Sequence, residues 1–371
     1  MALTHHQQDR PAAGRSPRPC PRVGGVQHHD VLTDRAVVYG LGPEPRDGPS
    51  RPLERSYELL IQVRILGNQR QFGHALAAYQ RPLRWWLFRD GCVTLPHTGH
   101  VAKPIGIFDS GLGGLTVARA IRRAVPGQNL VYLGDTARVP YGTRSAKTVA
   151  KYAIGCAERL LSFDIELLVV ACNTASGVAL PQLRERLDIP VVGVIEPGAR
   201  AGVRATRSGR IGILATAGTV ESGAYERAIH GENEVMSVFA QAAPLFVPLA
   251  EEGWVTGEVP RLAAQRYLRR LADVDVDTIV LGCTHYPLLS ETIHDVAAEL
   301  LGHDVAIVDS AEATAATLTE MLDVDLAVTP EGGAPGSLQI LVTDLPGQFA
   351  SAASRFLGKP VQGLDIRAID L

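Results

Sequence analysis

Residues 104–125 read PIGIFDSGLGGLTVARAIRRAV. A short apolar run, Ile105–Phe108, gives way to a loop of small residues and then to an amphipathic stretch, Leu115–Val125. Unbroken apolarity over four or five residues marks a strand covered on both faces, as in a parallel sheet. Parallel neighbours need a long crossover, and an amphipathic helix is the usual one. The same texture continues to the end of the chain. Strands are expected at Ile105–Phe108, Leu130–Leu133, Leu167–Ala171, Val191–Ile195, Ile211–Leu214, Thr278–Gly282, Val305–Val308 and Leu338–Val342. Helices fit between them at Leu115–Val125, Ser145–Ser162, Ala175–Leu187, Val220–His230, Arg261–Leu271 and Leu289–Leu301. This alternation predicts a doubly wound α/β fold.

Ile211-Gly212-Ile213-Leu214 opens a second series that mirrors Ile105-Gly106-Ile107-Phe108. Gly106 precedes Cys172 by 66 residues, and Gly212 precedes Cys283 by 71. Each cysteine ends an apolar run, Leu168-Val169-Val170-Ala171-Cys172 and Ile279-Val280-Leu281-Gly282-Cys283, and a polar residue follows, Asn173 or Thr284. Two similar halves would put both thiols at the carboxyl ends of strands, where open α/β sheets place their ligands.

Upstream of Lys103 the character is different. Residues 1–100 hold 13 of the 36 Lys+Arg, all arginine, against 8 Asp+Glu, together with 10 of the 24 prolines and 7 of the 11 histidines. That stretch carries a net charge of about +5 and the remainder about −8. Up to about Arg55 no apolar period is sustained, which reads as disorder, while Tyr57–Arg89 could form a helix or two. Such a segment is a floppy arm, upstream sequence joined by a misplaced start codon, or a basic arm for an acidic partner. The longest apolar runs fall far short of the roughly 20 residues a membrane span needs. Residues 1–10 lack the apolar core of a secretory signal. Five cysteines without dense spacing do not form a disulfide framework, so a reducing cytoplasm is the expected setting.

Cys20, Cys92 and Cys156 read as packing or arm residues. Cys172 and Cys283 differ because each sits between a strand and a helix, where N-terminal amides favour the thiolate over its free pKa of about 8.5. Cys283-Thr284-His285-Tyr286-Pro287 sets a histidine two residues from one thiol, a plausible proton partner. Asp109 opens the glycine-rich turn Asp109-Ser110-Gly111-Leu112-Gly113-Gly114, whose backbone amides could meet an anion. The turn lacks a GK[ST] ending and is not a clean GxGxxG, so a nucleotide site has little support. A zinc ion on Cys172, Cys283 and His285 would want defined spacing and a fourth or open position. Pyridoxal phosphate needs a Schiff-base lysine. The only lysines are Lys103, Lys147, Lys151 and Lys359, none at a strand end in these motifs.

With Asp109-Ser110-Gly111, Cys172-Asn173-Thr174 and Cys283-Thr284-His285 together, the sequence resembles the glutamate racemases. The likeness runs from about Pro104 through Phe356. It includes Gly106–Val117, Tyr132–Gly142, Val170–Ser176, Val191–Pro197, Pro244–Gly253 and Val280–Leu289, six blocks in order. The resemblance implies two similar α/β domains with the active site in the cleft between them. Their bounds would be 101–193 plus 306–371 for the first and 194–305 for the second, with residues 1–100 as an extension outside the likeness. It implies a cofactor-free, metal-free exchange of L- and D-glutamate that supplies D-glutamate for peptidoglycan. Cys172 would deprotonate D-glutamate with help from Asp109, and Cys283 would deprotonate L-glutamate with help from His285. The assisting acid falls at Glu251, with Glu252 adjacent. Asp109, Ser110, Tyr141, Gly142, Asn173, Thr174, Thr284 and His285 match substrate-binding positions. Neither membrane nor nucleic acid is an expected partner, and a homodimer is compatible with the sequence. A racemase for aspartate, a one-thiol hydrolase or lyase, and a non-enzymatic scaffold are the rival readings.

Overall fold

The computed structural model describes residues 103–322, 335–344, 349–361 and 363–371. The expectations for residues 1–100 lie outside this set.

Among the described residues ten strands fall into two all-parallel sheets. The larger contains β1 (Ile105–Asp109), β2 (Leu130–Gly134), β3 (Leu167–Val170), β4 (Val191–Gly193), β9 (Leu338–Val342) and β10 (Asp365–Ala368), in the order β10-β9-β2-β1-β3-β4. The smaller contains β5 (Arg210–Ala215), β6 (Ser237–Ala242), β7 (Thr278–Gly282) and β8 (Ala306–Asp309), in the order β6-β5-β7-β8. The last four of the first, β2-β1-β3-β4, have the same order as the whole second sheet. The internal repeat is therefore topological as well as textual, and β1 corresponds to β5 and β3 to β7. In both central strands the glycine serves one purpose. A Cβ at Gly106 would sit 2.5 Å from Ile165 Cδ1, and one at Gly212 would sit 2.9 Å from Leu271 Cδ1.

The helices are α1 (Leu115–Ala124), α2 (Ala146–Leu161), α3 (Asn173–Arg186), α4 (Ile195–Ala205), α5 (Ala217–Glu221), α6 (Ala224–Glu232), α7 (Phe246–Glu252), α8 (Glu258–Ala272), α9 (Ser290–Leu301), α10 (Ser310–Met321) and α11 (Phe349–Leu357). They cover the sheets, and β1, β2, β3 and β7 are buried along their whole length. Several helix starts carry a side-chain cap: Ser145 accepts from Thr148 N, Thr216 from Thr219 N and Asp309 from Ala311 N. Each such cap satisfies an amide the helix leaves open, worth about 1 kcal/mol.

Three expectations need correction. The expected strand Val191–Ile195 stops at Gly193, and Ile195 begins α4. The expected helix Val220–His230 is two helices broken at Gly223, whose φ of 60° lies in the left-handed region that glycine tolerates. The return to the first domain, expected at 306, comes later, because Ala306–Asp309 pairs with Thr278–Leu281 in the smaller sheet. The strands not foreseen, β6 and β10, are both sheet edges and are half-exposed or exposed. An edge strand covered on fewer sides carries no continuous apolar run to find.

Candidate active site

β1, β3, β5 and β7 end toward a common region, and the candidate site residues lie at or just past those ends. Asp109 is the last residue of β1 and is completely buried. Its Oδ2 accepts from Gly111 N at 3.0 Å, so the glycine turn spends an amide on this carboxylate. Burial raises the Asp109 pKa, against the opposing influence of His285 and of the Ser110, Gly111 and Gly114 amides. Its other oxygen, Oδ1, is buried with no partner.

Cys172 follows β3 and is itself the N-cap of α3, accepting from Ala175 N at 3.5 Å and lying 3.7 Å from Ser110 Oγ. The expectation that this position favours the thiolate is overturned at Cys172. Burial, then the Asp109 carboxylate, push the Cys172 thiol up to about 12, outweighing the Ala175 amide and the Ser110 hydroxyl. Charge on the Cys283 thiol raises it further, so the two thiols sense one another.

Cys283 follows β7 and leads into a one-turn 3-10 helix, Tyr286–Leu289. Its Sγ lies 3.8 Å from His285 Nδ1, and Thr284 Oγ1 lies 3.3 Å from the same nitrogen. His285 Nε2 is 3.1 Å from Glu251 Oε1 on α7, while Glu252 is exposed. Burial works against a charged ring here, yet hydrogen bonds to Cys283 and Glu251 and their charges hold His285 up at about 10. The C-terminal helix α11 closes this side. Phe356 stands edge-on to the imidazole with centroids 5.1 Å apart, and Arg355 donates to the Glu251 carbonyl.

The two halves meet tightly at the thiols. Thr116 Oγ1, on α1, donates to the carbonyl of Thr284 at 3.0 Å. A Cβ on Gly113 would lie 2.2 Å from Thr284 Oγ1 and 2.4 Å from His285 Nδ1, so only glycine lets this loop approach. Thr174 Oγ1 sits 3.0 Å from both Thr216 Oγ1 and Thr219 Oγ1, a hydroxyl cluster spanning the two sheets' loops. Asn173 accepts from Tyr225 Oη at 2.7 Å, leaving its Nδ2 buried without a partner. Gly142 approaches the same cluster, since a Cβ there would meet Thr216 Cβ at 2.9 Å. Tyr141 is different. Its hydroxyl donates to Asp135 Oδ2 and faces Cys156, so the side chain is engaged behind the loop.

The structure thus brings Asp109, Ser110, Cys172, Asn173, Thr174, Cys283, Thr284, His285 and Glu251 together. Thr116, Thr216, Thr219 and Tyr225 were missed. One signal for Thr216 was available: aligning Ile105-Gly106-Ile107 with Ile211-Gly212-Ile213 sets Thr216 opposite Ser110 and Ala215 opposite Asp109. The halves are therefore chemically unequal, with a carboxylate beside one thiol and an imidazole beside the other. Lys103 pairs with Asp164, and Lys147 and Lys151 are exposed on α2. Among the described residues no group of three or more His, Cys, Asp or Glu side chains is set to hold a metal ion. Among the described residues no helix is long and apolar enough to cross a membrane.

The two parallel α/β halves each carry a thiol just past the corresponding strand end, and a family model described as Asp/Glu/Hydantoin racemase matches residues 105–318. The chain belongs to that family and is an isomerase of amino acids. Its relatives are more particular. It is 52% identical to a glutamate racemase of Geobacter metallireducens over 256 residues, 69% of this chain and 93% of the relative. Among solved structures it is similar to the glutamate racemase of Francisella tularensis in complex with D-glutamate, with TM-score 0.65, 33% identity, and coverage of 73% of this chain and 98% of that one. The Thermus thermophilus glutamate racemase in complex with beta-chloro-D-alanine gives TM-score 0.63 and 44% identity, covering 73% and 98%.

Proposed function

We propose that the protein interconverts L- and D-glutamate without a cofactor, using Cys172 and Cys283 as opposed proton carriers, and so supplies D-glutamate for peptidoglycan. The observation that carries this reading is a pair of orphaned buried atoms beside the thiols, the acceptor Asp109 Oδ1 and the donor Asn173 Nδ2. Each unmet buried polar group costs roughly 1–3 kcal/mol. An amino acid repairs both, offering an ammonium to the first and a carboxylate oxygen to the second. Relatives at 43–52% identity bearing the name glutamate racemase favour glutamate over aspartate.

Inversion at a carbon by proton exchange needs a base on one face and an acid on the other. A single base would tend to return the proton to the face it left. In this reading Cys283, with His285 and Glu251, takes the α-proton of L-glutamate while Cys172 delivers one to the opposite face. In the reverse direction Cys172, with Asp109, takes the proton of D-glutamate. The high pKa of Cys172 suits a thiol that stays protonated until substrate arrives. An ammonium near Asp109 then cancels the charge that opposed ionisation. Ser110, Thr174, Thr284 and the main chain at Tyr141 and Gly142 are the further donors proposed for the carboxylates. Such donors in a water-poor cleft stabilise the carbanion as its charge develops. The lysine inventory supports cofactor-free chemistry, since no amine lies where a Schiff base would be needed. The domain pairing proposed is 101–193 with the segment after β8, against 194–309, acting in a cytoplasmic setting.

Purified protein in heavy water, given L-glutamate and no cofactor, should incorporate deuterium at the α-carbon as the circular dichroism of the substrate decays. Decay with L-aspartate and none with L-glutamate would overturn the substrate assignment.

A further inference from the structure

Tyr225, on α6, touches both cysteine segments at once. Its ring packs where a Cβ on Gly282, the residue before Cys283, would come within 2.9 Å of Cε2. Gly198 on α4 clears the other side, since a Cβ there would lie 3.2 Å from the hydroxyl. From that slot the hydroxyl donates across to Oδ1 of Asn173, the residue after Cys172, at 2.7 Å. Both side chains are buried, Tyr225 at 1% and Asn173 at 3% exposure. The other end of the amide, Nδ2, is buried and unpartnered.

An asparagine amide can be turned over with almost no change of shape, exchanging two donors for an acceptor. Turned over here, it would take from the Tyr225 proton the acceptor it now uses and leave it only the Ser310 hydroxyl, which itself donates to the Leu281 carbonyl. It would also set a carbonyl oxygen, in place of an N–H, at the buried orphan position. Resting on the amino-acid reading of the site, we infer that Tyr225 is a positioning residue that locks Asn173 with its donor end toward a substrate carboxylate. Burial holds the phenol well above its ordinary pKa, so the donated proton is present throughout the working pH range. The coupling also crosses between the halves: Tyr225 belongs to the smaller sheet's domain and Asn173 to the larger's. The lock therefore operates only when the halves are together, and the carboxylate donor is set as the two thiols come into place.

The test is a double-mutant cycle on Tyr225→Phe and Asn173→Ala, read as kcat/KM for glutamate and, in parallel, as the Kd of D-glutamate by calorimetry. Tyr225→Phe keeps the ring in its slot and removes only the hydroxyl. It should lower kcat/KM by about tenfold, mainly through KM, with the melting temperature falling by only a few degrees as Asn173 Oδ1 loses its donor. In the Asn173→Ala background the same change should cost almost nothing, because the group it positions is gone. A purely structural tyrosine would give losses that add; additive losses, or an unchanged kcat/KM in Tyr225→Phe, overturn the inference. Where Asn173→Ala turns over too slowly to measure, the Kd cycle decides by the same criterion. Wild-type protein that fails to racemise glutamate overturns the parent reading and this inference with it. Wild-type protein that racemises while the losses add overturns the inference alone.

Discussion

Gly113→Ala isolates the fit between the two halves. The added Cβ would stand 2.2 Å from Thr284 Oγ1, 2.4 Å from His285 Nδ1 and 2.5 Å from His285 Cε1. Ordinary contact begins near 3.4 Å, so the opposing segment must retreat by about 1.2 Å. Backbone strain contributes nothing, because Gly113 is not in the left-handed region. Rotating Thr284 alone gives no relief, since the imidazole is equally close and is itself held by Glu251 and Phe356. The least costly response is to part the halves, which breaks the Thr116–Thr284 hydrogen bond, worth about 1 kcal/mol. Overpacking of this kind costs about 1–3 kcal/mol in stability. The catalytic cost is larger in proportion, since a misplacement of about 1 Å lowers the rate by about a hundredfold. Initial rates of circular dichroism change with L- and with D-glutamate should both show that loss. They must fall together in kcat/KM, because enantiomers are equal in energy and the equilibrium constant is fixed. Cys172 and Cys283, each 5% exposed, should also alkylate faster with iodoacetamide as the cleft opens. A variant within about threefold of wild-type kcat/KM would refute the reasoning.

Other outcomes follow from the unequal halves. His285→Asn should raise the primary isotope effect with α-deuterated L-glutamate and lower it with the D-isomer, because it slows only the Cys283 transfer; a symmetrical change would remove His285 from that role. Cys172→Ser and Cys283→Ser should each abolish racemisation while one retains elimination of HX from a chlorinated substrate of matching hand, and intact racemisation in Cys283→Ser would end the two-base mechanism. The Cys172 thiol is raised in the folded protein from about 9 to about 12, so its contribution to stability is complete below about 9 and is lost as pH climbs through 12. Between pH 8 and 11 wild-type should lose stability relative to Cys172→Ser by as much as about 3 kcal/mol in urea unfolding, and parallel curves would show that the thiol is not perturbed by folding.

Legibility of the fold tracked burial. Central strands such as Ile105–Asp109 and Thr278–Gly282 are covered on both faces, so their sequences are unbroken apolar runs. Ser237–Ala242 and Asp365–Ala368 are edges, and their mixed character says nothing of a sheet. Helix α4 was hidden for another reason. Gly198 and Gly202 weaken helix propensity, yet they are needed where α4 presses on Tyr225 and on Val280, 2.9 Å from the position of a Cβ at Gly202. The site divides in the same way. Cys172, Cys283 and their immediate neighbours are legible because they sit at strand ends of a repeat. Thr219 and Tyr225 reach these residues from helices about fifty residues away along the chain, and no local pattern connects them to Asn173 and Thr174.

By itself the sequence determined the alternation of strand and helix, the doubled series, the two strand-end thiols and their nearest polar neighbours, because each is a property of adjacent residues. Only the tertiary structure decided that Glu251 rather than Glu252 faces His285, that the Tyr141 hydroxyl is occupied elsewhere, and that Cys172 is held as a thiol despite capping a helix. Those outcomes depend on which groups are buried together, and burial is set by elements that meet across the fold and share no stretch of chain.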